Sequence, residues 1–88
     1  MNVVKFTDTH GNSINVRYDG DLLVADPTTS VAVVLDLNDE IVVYNPTEQS
    51  TRVMDDVVQL NDHLTGGAYE AALEKLRDVR ALRNTSAA

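Results

Sequence analysis

Two apolar runs, Val31 to Leu37 and Glu40 to Asn45, flank the polar pair Asn38-Asp39, and each run is apolar on both sides. A strand shows its side chains alternately to the two faces of a sheet, so a run without polar alternation has no face to give to water. With Asn38-Asp39 as a two-residue turn, Val33 lies against Tyr44, Leu35 against Val42 and Val34 against Val43. Such a strand pair has to be covered twice. A helix suits one face, and a curled sheet or another subunit suits the other.

The residues before this pair read as strands. Residues 2–9 carry Val3, Val4 and Phe6, and His10-Gly11-Asn12-Ser13 supplies turn chemistry. Ile14 to Tyr18 then alternates strictly, with Ile14, Val16 and Tyr18 on one face and Asn15 and Arg17 on the other. Asp19-Gly20 is a hairpin signal that sets Val16 against Leu23 and Ile14 against Ala25. Asp26-Pro27 ends the next strand, because proline cannot donate to a ladder. Residues 45–55 admit two readings. Pro46 can open a helix, or residues 46–49 form a loop before an edge strand from Thr51 to Met54; Ser50, Thr51 and Val53 favour the strand.

From Asp56 the spacing becomes helical, through Val57, Leu60 and Leu64, until Gly66-Gly67 interrupts it. Asp55 or Asp56 suits the N-cap. Tyr69, Ala72, Leu73, Leu76, Val79 and Leu82 mark a longer second helix, with Glu70 and Glu74 early and Arg77, Arg80 and Arg83 late, as the helix dipole favours. The expected fold class is therefore α+β: one domain over residues 1–83, with an antiparallel β-meander of about five to six short strands over 2–54. Two C-terminal α-helices over 56–65 and 68–83 follow, and a disordered tail over 84–88 ends the chain.

The chain has 88 residues, no cysteine and a formal net charge of −7. A domain this small has a thin core, and without cysteine it has neither disulfides nor thiolate metal sites to reinforce it. Self-association is the reinforcement left. The acidity opposes binding to bare nucleic acid or to anionic membrane surfaces, and it suits a basic protein partner. Residues 1–6 show no apolar stretch of leader type, and a cytoplasmic location is the expectation.

The reactive residue types do not assemble into a known chemistry. Asp36-Leu37-Asn38-Asp39-Glu40 begins like a calcium loop, but Ile41 and Thr47 stand where that loop needs glycine and a bidentate glutamate. His10 lies in a turn and His63 near a helix end; Ser13, Ser30 and Ser50 lack the context of a strained nucleophile. Neither enzymatic activity nor a cofactor or metal is expected. The basic residues Arg77, Arg80 and Arg83, joined by Arg17 or Arg52, form the candidate anion site, suited to a nucleotide-like ligand. The two-faced strand pair makes Val34, Ile41, Val43 and Tyr44 the candidate interface.

The order Val-Lys-Phe-Thr-Asp-x-x-Gly at residues 4–11, Leu22-Leu23-Val24, Val31 to Leu35, Ile41-Val42-Val43 and Asp55 to Leu60 resembles the small flagellar FlbD-like proteins of bacteria and similar phage-encoded chains. The resemblance spans about two thirds of the chain, which departs from it by inserting residues 45–52 and adding a second helix. It implies a non-catalytic accessory protein and transfers no functional residue. The leading expectation is a non-enzymatic, acidic protein-interaction module, homo-oligomeric, acting as a phage or bacterial accessory or inhibitor protein on an unidentified protein partner. Sequestration of an anionic small molecule and acidic mimicry of nucleic acid are the alternatives.

Overall fold

A computed structural model describes residues 2–86, with side chains through residue 85. Strands β1 (Asn2–Thr7), β2 (Ser13–Tyr18), β3 (Gly20–Ala25), β4 (Ala32–Asp36), β5 (Ile41–Asn45) and β6 (Ser50–Met54) precede a 3-10 helix over Val57–Asp62 and helix α1 (Ala68–Ser86). The class is α+β with antiparallel sheets. The strands divide into a two-stranded ribbon, β1-β2, and a four-stranded sheet ordered β3-β4-β5-β6.

Both apolar faces of β4 and β5 are covered by the chain itself. On one side Val33, Leu35, Ile41 and Val43 pack with Leu60, Leu64, Ala68, Ala72, Leu76 and Val79. On the other, Ala32, Val34, Val42 and Tyr44 pack with Val16, Phe6, Ile14 and Tyr18 of the ribbon. The layers are thus ribbon, sheet and helix. Leu35, Val33, Val34 and Leu60 are fully buried, each worth roughly 1.5–3 kcal/mol of removal from water. The second cover is a separate sheet of the same chain, the β1-β2 ribbon, in place of the expected curled sheet or further subunit.

Turn chemistry sets the registers. Asp8, Asp26, Asp36 and Asn45 each open a turn by accepting hydrogen bonds from backbone amides two to four residues on. Gly11, Ser30, Asp39 and Gln49 close these turns with positive φ, where short polar residues and glycine are tolerated best. In the β4–β5 turn, the Asp36 N–H donates to the Glu40 carbonyl at 3.0 Å and Asp39 has φ 64°. The loop is therefore Leu37-Asn38-Asp39, one residue longer than a two-residue turn. The register becomes Val33↔Val43, Val34↔Val42 and Leu35↔Ile41, not the slipped pairing expected from Asn38-Asp39 alone. A one-residue slip exchanges faces, and only the observed register puts Val43 under the helix and Tyr44 under the ribbon.

Asp19-Gly20 is not a hairpin. β2 and β3 belong to different sheets, and the chain bends at Asp19 to pass from one layer to the next. Gly20 pairs with Asp36 at φ 143°, and a Cβ there would collide with the Leu35 carbonyl. Glycine is needed for this close approach, not for a tight turn.

The expected helix over 56–65 is a short 3-10 helix. Asp56, with φ −139°, caps it by accepting from the Val58 N–H at 3.0 Å. β-Branched Val57 and Val58, followed by Asn61 and Asp62, favour helix weakly, so the segment stays at short three-residue bonding. Helix α1 continues to Ser86, past the expected end at residue 83. Residues 84–86 are therefore helical, and the rest of the expected tail lies outside the described residues. Leu82 is 68% exposed; the inward stripe runs Ala72, Leu76, Val79, Arg83 instead.

Candidate functional site

Arg83 takes that inward position near the end of helix α1, beside the β4–β5 turn. Its guanidinium donates to the carbonyls of Leu35 at 3.0 Å and Asp36 at 2.6 Å. It also forms ion pairs with Asp21 at 3.0 Å and Asp39 at 3.1 Å. These contacts tie the helix to the β4–β5 turn and occupy the group. Arg77 and Arg80 are exposed on the helix, and Arg77 shares a depression of about 430 Å³ with Glu70, Leu73 and Glu74. Arg17 lies on β2, in the layer on the opposite side of the sheet. Arg17 and Arg77 line separate depressions, Arg17 with Asp19 and Asp36 and Arg77 with Glu70 and Glu74.

The four residues expected at an interface are inside the fold. Ile41 and Val43 lie beneath the helix, and Val34 and Tyr44 lie beneath the ribbon. Their apolar character serves the chain's own two cores. His10 is exposed in the β1–β2 turn, with its Nδ1 at 3.5 Å from Thr9 Oγ1. His63 caps the C-terminal end of the 3-10 helix, and the two histidines stand on separate elements. Among the described residues, no group of three histidine, cysteine, aspartate or glutamate side chains is placed to hold a metal. No helix among them is long and apolar enough to cross a membrane.

Two buried aspartates hold the layers in place. Asp8 accepts from the His10 and Asn12 amides with Oδ1, and from the Asn12 side chain and Thr47 hydroxyl with Oδ2. It thereby joins the ribbon to the β5–β6 turn, which Gln49 reinforces by donating to the Ser13 carbonyl at 2.7 Å. The Asn12 side chain draws the Asp8 pKa down; burial opposes this, and the Thr47, His10 and Asn12 bonds complete the shift to about 2. Asp26 receives the Thr65 N–H at 2.7 Å and its hydroxyl at 3.1 Å, with the Thr28 amide at 2.8 Å. Burial pushes its pKa up, but the Thr65, Thr28 and Thr29 donors outweigh that and leave it at about 2.

A cleft of about 400 Å³ opens where the ribbon meets the β4–β5 turn, lined by Arg17, Tyr18, Asp19, Asp36, Leu37, Asn38, Val42 and Tyr44. Tyr44 reaches it from the core. Its side chain stacks on Phe6, with ring centroids 6.2 Å apart, and only 9% of the residue is exposed. Burial raises its pKa, helped by the fields of Asp36 and Tyr18, so the phenol stays protonated at neutral pH. The sequence placed Tyr44 among interface residues and left Tyr18 and Asp36 without a site. The available signal was one hydroxyl per strand, Tyr18 and Tyr44, on inner faces otherwise made of aliphatic residues.

In comparisons with family models, curated proteins and solved structures, none matches the chain, so the resemblance to FlbD-like proteins gains no support from them.

Proposed function

We propose that the chain is a non-enzymatic, acidic protein-interaction module, an accessory or inhibitor protein that joins its partner through the open edge of β6. The supporting observation is the contrast between the two edges of the four-stranded sheet. β3 carries a bulge between Leu22 and Val24 and packs against helix α1. Bulges and covering elements are the usual protection against strand addition. β6 instead pairs with β5 in an unbroken register of five residues and shows Thr51, Arg52 and Val53 to solvent. Val53 is 54% exposed.

An extended partner segment can add to such an edge through main-chain hydrogen bonds, with side-chain pockets giving selectivity. The net charge of −7 favours a basic segment. Since the sheet faces are filled from within, the same edge is the route for self-association. Val53→Lys puts a charge on this edge without touching the core. Proteins captured from the native host by the wild-type chain are expected to be lost by Val53→Lys, along with any oligomer seen by light scattering at micromolar concentration. Retention of the same partners by the variant, at equal thermal stability, would count decisively against the edge.

A further inference from the structure

The open edge of β6 has a chemical order along its length. Residues opposite each other on neighbouring strands share a face of the sheet. Thr51 and Val53 stand opposite Tyr44 and Val42, which belong to the ribbon-side core. Arg52 stands opposite Val43, which belongs to the helix-side core, and Met54 packs against that same core. The edge therefore shows the apolar Val53 on one face and a cation, Arg52, on the other.

Acidic residues flank this strand. Glu48 precedes it in the β5–β6 turn, and Asp55 and Asp56 follow Met54 directly. All three are exposed, as is Arg52. Asp56 caps the 3-10 helix with one carboxylate oxygen. Among the described residues, none of these four side chains takes part in an ion pair. The charge along the edge thus runs negative, positive, negative, and no ion pair within the fold neutralises it.

We infer that this edge selects an extended protein segment with a basic residue at each end, an acidic residue beside Arg52 and a β-branched apolar residue beside Val53. The preference rests on strand addition at β6 and names the segment that adds. A seven-residue segment centred on Arg52 sets its ends beside Gln49 and Asp55, next in sequence to Glu48 and Asp56. At about 3.3 Å per residue those ends lie roughly 20 Å apart. An evenly basic segment would set a cation against Arg52, and like charges directly opposite each other destabilise a sheet. The chain's net charge of −7 acts alike on every segment of one total charge, so the local order decides among them. Val53 lies between the charged zones, and a β-branched neighbour covers it.

The test is a two-dimensional amide NMR titration of the full chain with two end-blocked heptapeptides of equal composition and net charge. The first, Lys-Thr-Val-Glu-Val-Thr-Lys, follows the inferred order. The second, Glu-Thr-Val-Lys-Val-Thr-Lys, exchanges the central glutamate with a terminal lysine. The first is expected to shift the signals of Thr51, Arg52 and Val53. It is also expected to bind roughly tenfold more tightly than the second, in which two exposed charge pairs become repulsions. The preference is expected to shrink at about 1 M salt. In Arg52→Glu it is expected to vanish, because each peptide then has two matched charges and one mismatched. Thermal melts verify that this variant folds; if it does not, the salt dependence decides. Equal affinity of the two peptides, or a preference unmoved by Arg52→Glu, overturns the inference and leaves strand addition standing where Val53→Lys weakens both. No binding by either peptide, or shifts confined to other strands, also overturns it. Strand addition itself is refuted separately, by host partners that Val53→Lys still captures.

Discussion

Replacing Asp26 with asparagine removes one charge and turns one acceptor into a donor. Asp26 sits at the β3–β4 turn and is 2% exposed, and it holds the segment that leads into helix α1. Its Oδ2 accepts the Thr65 N–H at 2.7 Å and the Thr65 hydroxyl at 3.1 Å, while Oδ1 accepts the Thr28 and Thr29 amides. Asparagine can keep the Thr28 and Thr29 bonds but faces the Thr65 N–H with its own NH2. One charge-assisted bond is lost and two donors oppose each other, which costs about 2–3 kcal/mol. In a domain of this length that lowers Tm by roughly 10–20 °C.

The pH dependence follows from the same contacts. Asp26 and Asp8 have pKa values held at about 2 in the fold, against about 3.9 in an unfolded chain. The unfolded state therefore binds more protons between these values, and stability falls as pH drops through that window. The contribution is fully present above the unfolded value and is lost as pH passes through about 2. Thermal melts by circular dichroism from pH 7 down to 2 measure both effects. Asp26→Asn is expected to melt lower at pH 7 and to lose less on acidification than the wild type. A variant melting within about 2 °C of wild type at pH 7, or with an identical acid limb, would refute this account of Asp26.

Two further substitutions address the layer crossing and the helix anchor. Gly20→Ala introduces a Cβ into the Leu35 carbonyl at a φ of 143° and is expected to destabilise by on the order of 3 kcal/mol in urea unfolding; a cost under about 1 kcal/mol would contradict the close approach of β3 to β4. Arg83→Ala removes two carbonyl bonds and two ion pairs from a side chain that is 24% exposed, a loss of about 1–2 kcal/mol. Because the carbonyl bonds are not screened, most of that loss is expected to persist at about 1 M salt, and its disappearance there would assign Arg83 to surface ion pairing alone.

Local chemistry made much of this fold legible. Alternation in Ile14 to Tyr18, glycine and asparagine at the first turn, proline after Asp26 and the spacing of Ala72, Leu76 and Val79 each act over a few residues, and each element forms where they point. So does the need for two covers on β4 and β5. Tertiary geometry decided which covers were used and which register held. Asp19-Gly20 has the composition of a hairpin, but pairing β2 with β3 would leave Val34 and Tyr44 uncovered. The chain bends there instead, and Gly20 serves as a contact point beneath Leu35. The slip at Leu37-Asn38-Asp39 depends on the Asp36 carboxylate capping two amides, an option that turn propensity does not rank. Arg83 reads like its neighbours Arg77 and Arg80, and only the packing of helix α1 beside the β4–β5 turn gives it four partners. The cleft's local signal was limited to the two inward hydroxyls, Tyr18 and Tyr44. Tyr18, Asp36 and Tyr44 lie on three strands in two layers, and their meeting is a property of how the ribbon folds back onto the sheet.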